Sequence, residues 1–426
     1  MKPLIQGAAL LLVAFASAAR RSVYVKRASG HSGSRWIAVN LAASNLSTFF
    51  QDGGLCAGRC CLPTGAPQAT PARRLDALAA LYDAGCRCMF ARDARAGAGF
   101  GNERCMTCGK GGPRPRQIRA NETGCQWGEY CRGACAAEAP AACAGVATVG
   151  AIPDDPADDY HDKCDGKRSW CLNKAVARRA WHADLKRRIP DLAVVSWDRD
   201  NSVKHALSYL KHNHHFDCAS PYLANHGHRD EASLEARAAP RSFLYVHPTR
   251  LLLKAAEKAL GRLALRLELK RVDVRYAAHY EAFQVDEAGE MARLLGALGV
   301  PVPDAWATDE LVKLTPEDLR DLLVNFDEVN ATLAPWPCLR AMLGSAAPER
   351  FAPCAETELP SPREVAALRV PSMSASAAVV LPCDGGRRAA KLPRHVKADP
   401  DALCARAAAM GRALHGSPRA EVCVLP

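Results

Sequence analysis

Apolar and polar positions alternate in strand-sized and helix-sized blocks along much of the chain. Leu192 to Trp197 is a short apolar, β-branched run of the length expected for a buried strand. Past it, Asp200 or Asn201 is placed to cap a helix. In that helix Val203, Leu207 and Leu210 form an i, i+4, i+7 stripe, and Lys204, Ser208 and Lys211 share the opposite face. Nearer the start, Val23 to Lys26 predicts another short strand. A turn of mostly small residues (28–36) and an apolar helix from Ile37 to about Leu46 follow it. Helices are also predicted over Pro71–Asp83 and Cys171–Arg188. After a polar loop at Asn213–Arg241, the long segment Pro248–Glu268 gathers Leu251, Leu252, Ala255, Ala259 and Leu263 on one side. It leads into a strand at Val272–Tyr276. Strands alternating with helices predict an α/β fold built on a central parallel sheet.

The same pass divides the chain. Residues 1–21 carry Lys2, an apolar stretch from Ala8 to Phe15 and small residues at 16–19, the grammar of a signal peptide, with a short signal anchor as the alternative. The α/β core is expected over 22–55 and 166–345, interrupted by a cysteine-rich insert at 56–165, with a small extension at 346–426. In that extension a hairpin is predicted from Ala377–Pro382 and Arg388–Leu392 around Asp384-Gly385-Gly386, then a helix over Pro400–Leu414. No other segment is apolar enough to span a bilayer.

Candidate chemistry sits at two strand–helix junctions. Arg199 stands just past a strand's carboxyl end, where open α/β sheets bind ligands, with the Ser208 hydroxyl two turns along the next helix. The pair forms a clamp for one phosphate. In the earlier turn, Gly30-His31-Ser32-Gly33-Ser34-Arg35-Trp36, small residues let successive N–H groups, the hydroxyls and the helix N-terminus converge on an anion. It is not a Walker A loop, because the G-x-x-x-x-G-K-[ST] pattern does not occur there. Two such turns suit a ligand with two separated phosphate-like groups.

These residues resemble the two co-substrate motifs of sulfotransferases that use 3′-phosphoadenosine 5′-phosphosulfate (PAPS). Residues 30–36 match the family's 5′-phosphosulfate loop, and Arg199-Asp200-Asn201 with Ser208 is similar to its 3′-phosphate motif. Val272 to Glu281 resembles the late strand that ends in Tyr-Glu. Met291 to Val300 looks like the helix that ends in an apolar-Gly-Val turn, here Ala297-Leu298-Gly299-Val300. Leu311 to Val329, with Lys313-Leu314-Thr315-Pro316 and Asn325-Phe326-Asp327-Glu328-Val329, matches a downstream pattern. The resemblance covers about residues 22–55 and 170–345 and implies a P-loop-like three-layer sandwich. It implies a 5′ end held by Gly30, Ser32, Gly33, Ser34, Arg35 and Trp36, and a 3′-phosphate held by Arg199 and Ser208. It also implies a carbohydrate acceptor and no metal. The chain departs from the family at the loop position usually held by lysine or arginine, which is His31, with Arg35 and Lys26 nearby. The positional match for the general base is Asp52. His31 is then the candidate donor to the leaving phosphate, and Asp52 the base that takes the acceptor's proton.

Composition changes the picture in three places. Nineteen cysteines, eleven of them between Cys56 and Cys143, fit an oxidising compartment and a disulfide-stapled insert. The single short CxxC at Cys105–Cys108 has no second CxxC at zinc-finger spacing. Sequons at Asn45, Asn121 and Asn330 fit a lumenal glycoprotein, which places the expected location in the Golgi lumen or outside the cell. The net charge of +11 is spread along the chain and lacks interleaved aromatics, so it favours acidic ligands such as PAPS and acidic glycans and not nucleic acid. His212, His214, His215, Cys218, His226 and His228 form a histidine-rich stretch whose spacing matches no metal site. Two other classes stay open. One is a different P-loop-like nucleotide-dependent transferase, which would need a Walker lysine and a magnesium carboxylate. The other is a secreted cysteine-rich binding protein whose core has lost catalysis.

Overall fold

The computed structural model describes residues 21–28, 33, 37, 47–51, 148–152, 181–213, 242–302, 316–368, 379–383, 392, 399–415 and 420–425. Its strands are β1 (Arg21–Arg27), β2 (Ser47–Gln51), β3 (Thr148–Ile152), β4 (Ala193–Asp198), β5 (Ser242–Val246), β6 (Val274–His279), β7 (Val379–Pro382) and β8 (Glu421–Leu425). Its helices are α1 (Ser202–Asn213), α2 (Pro248–Leu269), α3 (Tyr280–Val285), α4 (Glu287–Leu298), α5 (Phe326–Leu333), α6 (Pro337–Gly344), α7 (Pro362–Ala367) and α8 (Pro400–His415). Residues 181–188 are helical as well.

The main sheet has the order β2-β3-β1-β4-β6, with every neighbouring pair parallel. This is the α/β architecture with a central parallel sheet that the alternation predicts. The chain leaves β1 toward the β2 side and leaves β4 toward the β6 side. The topological switch therefore falls between β1 and β4, and open α/β sheets bind ligands beyond the carboxyl ends of strands at such a point. β3 falls within the stretch 56–165 expected as an insert, yet it lies in the sheet between β2 and β1. Its sequence TVGAI follows a long cysteine- and glycine-rich stretch and is too short to stand out from it. The remainder of that insert and the amino-terminal 20 residues lie outside the described residues.

Alternation along the central strands separates two covered faces. Val23, Val25, Ala193, Val195, Trp197 and Ala278 pack with Ile37, Phe283 and the apolar face of α4 (Met291, Leu294, Leu295, Leu298). Gly299 ends α4 in the left-handed conformation, φ 68°, which a side chain adopts only with strain. On the opposite face lie residues 181–188 and the second half of α2, completing three layers. Tyr24 meets Trp181 there at 5.7 Å between ring centroids. Glu268 accepts from His182 Nε2 at 2.7 Å and pairs with Lys26 Nζ at 3.2 Å.

A second sheet, β5-β8-β7, joins this body to the carboxyl-terminal region. β8 pairs parallel with β5 and antiparallel with β7. Leu244, Val246, Cys423 and Leu425 face the apolar cluster of α1, α2, α5 and α6. Phe243, Tyr245, Val422 and Val424 face α8. β7 thus takes β8 as partner, whereas residues 384–391 of the predicted hairpin lie outside the described residues. Helix α8 matches the one predicted from Pro400. Asn325 stitches β5 to the start of α5, donating from Nδ2 to the Val246 carbonyl at 2.8 Å and accepting its N–H at 3.3 Å. Disulfides Cys338–Cys354 and Cys383–Cys404 cross-link this region, and Cys423 is also disulfide-bonded.

Candidate functional site: an anion clamp at the sheet's switch point

The turn between β4 and α1 stands at the switch point between β1 and β4. Asn201 is the residue that caps α1, its Oδ1 accepting the Lys204 N–H at 2.9 Å, while its Nδ2 donates to the Met342 carbonyl at 2.7 Å. A free helix N-terminus would offer its N–H groups to an anion. Here Glu281 already takes part of that offer, accepting the N–H groups of Asp200 and Asn201 at 2.8 and 3.0 Å. Burial pushes the Glu281 carboxyl up, although Arg199 and the two N–H bonds pull the other way. Cationic side chains flank the same turn.

Arg199 supplies the first. Its side chain is buried, and its guanidinium carbon lies 4.6 Å from the centroid of the Tyr280 ring. The same ring lies against Gly33. A Cβ built on Gly33 would stand 2.4 Å from Tyr280 Cδ2, and its φ of 83° is left-handed, so backbone and neighbour both demand glycine. Tyr280 thereby ties the turn after β1 to the turn after β4, the two segments singled out as anion-binding. Burial raises the Tyr280 hydroxyl pKa, with the Arg199 charge acting in the opposite sense.

Two lysines add to the arginine. Lys204 is buried, with Nζ 2.9 Å from Glu317 Oε2. The other oxygen of Glu317 accepts from Gln284 at 3.0 Å. Burial, and then the charge of Arg199, lower the Lys204 pKa to about 8, and the same two causes in the same order lower Lys211 to about 8. Half-buried Ser208 lies between the two lysines on one helix face, and Glu317 balances the charge of Lys204 in the ligand-free protein. Crowded like charges of this kind are relieved by an anion of more than one charge, such as a phosphate monoester.

Behind the turn lies an ionic knot. Arg262 Nε reaches Asp198 Oδ1 and Oδ2 at 3.1 and 3.0 Å, while Nη2 reaches Asp200 Oδ1 at 2.6 Å and Nη1 the Asp200 carbonyl at 2.5 Å. His279 Nδ1 lies 3.0 Å from Asp200 Oδ1, and Arg350 Nε donates to Asp200 Oδ2. Burial alone would raise the Asp200 carboxyl. The His279 hydrogen bond and the charges of His279, Arg262 and Arg350 outweigh it and hold the pKa below the usual aspartate value. Asp198, Asp200 and His279 bring three ligand atoms within 4.8 Å of one another, a spacing open to a cation. Arg262 already bridges both carboxylates, so the donor set is satisfied by an arginine.

Of the residues singled out from sequence, Gly33, Arg199 and Ser208 are described, and the first two meet at Tyr280. Gly30, His31, Ser32, Ser34, Arg35, Trp36 and Asp52 lie outside the described residues. Lys26, the nearby cation in sequence, is drawn into the sheet–helix interface by Glu268. Of the histidine-rich stretch, His212 lies on α1 and the others outside the described residues. Sequence reasoning missed Arg262, His279 and Arg350. The Tyr-Glu pair was noted as part of a strand pattern, but its contacts were not.

No family model matches the chain, and no curated protein matches it. Among solved structures, a sulfotransferase from Alicyclobacillus acidocaldarius matches at 14% identity with a TM-score of 0.30, covering 76% of this chain and 96% of that chain. A TM-score this low leaves the chemistry of the site itself as the basis for function.

Proposed function

We propose that the chain is a PAPS-dependent sulfotransferase that moves a sulfuryl group to a hydroxyl or amine acceptor, a carbohydrate in the secretory pathway. What supports this reading is the buried Arg199 at the carboxyl end of β4, near enough to Lys204 and Lys211 to lower both their pKa values and packed on the Tyr280 ring that also abuts Gly33. That donor set fits a 3′-phosphate dianion. The turn around Gly33 stands one contact away, where a second anionic group of the same ligand would lie.

In this reading Arg199 and Ser208 hold the 3′-phosphate, with Lys204 and Lys211 balancing its charge. Gly33 lets the backbone approach the 5′ end closely, and Gly30, Ser32, Ser34, Arg35 and Trp36 complete that cradle. PAPS supplies an activated sulfuryl group. His31 donates to the leaving phosphate when protonated, and Asp52 takes the acceptor's proton. No step calls for a metal. The overall positive charge draws in both PAPS and acidic glycans. Localisation in the Golgi lumen or outside the cell fits the cysteine count, the sequons and the leader-like residues 1–21.

Incubation of the purified chain with sulfur-labelled PAPS and a panel of glycan, tyrosine-peptide and lipid acceptors tests the reaction. Label transferred to a glycan supports it. Binding of the co-substrate without transfer to any acceptor would favour a binding protein with a degenerate core.

A further inference from the structure

Arg350 is half exposed, yet its Nε is fixed by Asp200, a carboxylate shut away from solvent. Asp200 is the immediate neighbour of Arg199. Its carbonyl and carboxylate are both engaged by Arg262, so a change in its position is transmitted to the turn. Helix α6 and the loop that follows it bring further groups to the same place. The Met342 carbonyl accepts from Asn201, Met342 Sδ accepts from the Ser202 N–H at 3.3 Å, and the Phe351 carbonyl accepts from Arg262 Nη2 at 3.1 Å. The Cys338–Cys354 disulfide closes this loop at a separation of 16 residues.

We propose that Arg350 is a positioning residue for the phosphate clamp, acting through Asp200 on the turn that carries Arg199, and that the Cys338–Cys354 disulfide holds it there. The inference rests on the co-substrate reading above and adds to it a dependence on a cross-linked loop distant in sequence. Arg350 does two things for the clamp. It keeps Asp200 Oδ2 engaged, so the turn stays in one conformation. It also neutralises a carboxylate adjacent to Arg199 that would oppose an incoming phosphate. A cross-link matters because the loop presents its groups from the surface. Without closure, a half-exposed arginine has many other conformations available.

The test uses the full chain and two probes measured by calorimetry. Adenosine 3′,5′-bisphosphate (PAP) carries the 3′-phosphate, and adenosine 5′-phosphate lacks it. Arg350→Met should weaken PAP binding about tenfold, the effect of one charge-assisted hydrogen bond, and leave adenosine 5′-phosphate binding nearly unchanged. A general loosening of the fold would weaken both probes alike. Arg350→Lys, which keeps the charge, should recover part of the loss. Cys338→Ser/Cys354→Ser should reproduce the selective loss, and adding Arg350→Met to it should cost little more, because both changes remove one device. Wild-type PAP binding with an unchanged PAP preference in Arg350→Met overturns this inference alone, as do fully additive losses. Failure of the wild type to bind PAP overturns the co-substrate reading, and this inference falls with it.

Discussion

Gly33→Ala probes the contact that joins the two anion-binding turns. At φ 83° an alanine is strained by about 1–2 kcal/mol. Its Cβ would lie 2.4 and 2.5 Å from Tyr280 Cδ2 and Cε2, where carbon atoms in contact normally sit about 3.5–4.0 Å apart. The ring or the turn must therefore shift by about 1 Å, an overpacking penalty of about 1–3 kcal/mol. The sum, about 2–5 kcal/mol, is a large part of the roughly 5–15 kcal/mol that holds a domain folded. Urea unfolding followed by tryptophan fluorescence reads it as a lower midpoint at unchanged slope. Tyr280→Ala supplies the control. With the ring removed, Gly33→Ala should keep only its backbone strain, so the double variant should be less destabilised than the sum of the singles by about 1–3 kcal/mol. A Gly33→Ala protein within about 0.5 kcal/mol of wild type, or strict additivity with Tyr280→Ala, would refute the proposed contact between turn and ring.

Two further outcomes follow from the charges. With Lys204 and Lys211 lowered to about 8, PAP affinity should be highest below pH 8 and fall as the pH rises through 8 and the lysines lose their protons. The ligand-free protein should move the opposite way. Between pH 8 and the unfolded lysine value the unfolded chain binds more protons, so these two groups add stability as the pH rises across that window. Calorimetric titrations with PAP and urea unfolding without it, each from pH 6.5 to about 9.5 on wild type and Lys204→Met/Lys211→Met, check the two signs, and the variant should lose the part of each pH dependence centred near 8. Arg262→Met should destabilise the protein by about 3–5 kcal/mol in urea, because it strips the buried Asp198 of two hydrogen bonds and Asp200 of two more. A loss under about 1 kcal/mol would show the knot to be incidental.

What could be read from sequence was whatever local pattern controls. The apolar run before Arg199 became β4, and the Val203, Leu207, Leu210 stripe became the buried face of α1, because strand and helix periods place those residues on one side without help from distant contacts. The end of α4 at Gly299 was legible through the resemblance of residues 291–300 to a family helix and turn. Of the second sheet only β7 was legible, as the first arm of the predicted hairpin. β5 and β8 are five residues each, come from distant parts of the chain, and reveal their alternation only once α1 and α8 cover opposite sides. Arg199 and Ser208 could be singled out from sequence because one turn and one helix set their spacing. Arg262 lies 64 residues from Asp198 on a helix whose buried face also carries Lys258 and Glu268, and nothing in its neighbours' spacing distinguishes an arginine that bridges two aspartates. Arg350 was hidden more deeply, since it comes from an irregular stretch spanned by the Cys338–Cys354 disulfide, with no local period to place it.

The central claim is that Arg199 is the main ligand of a phosphate at the switch point between β1 and β4, and PAP binding by wild type and Arg199→Ala tests it most directly. Wild type should bind PAP saturably, prefer it over adenosine 5′-phosphate, and melt at a higher temperature in its presence, since a ligand that binds only the folded state stabilises it. Arg199→Ala should fold and melt cooperatively but lose about tenfold to a hundredfold in PAP affinity, the worth of a charge-assisted contact to phosphate. Equal PAP affinity in the two proteins would contradict the account.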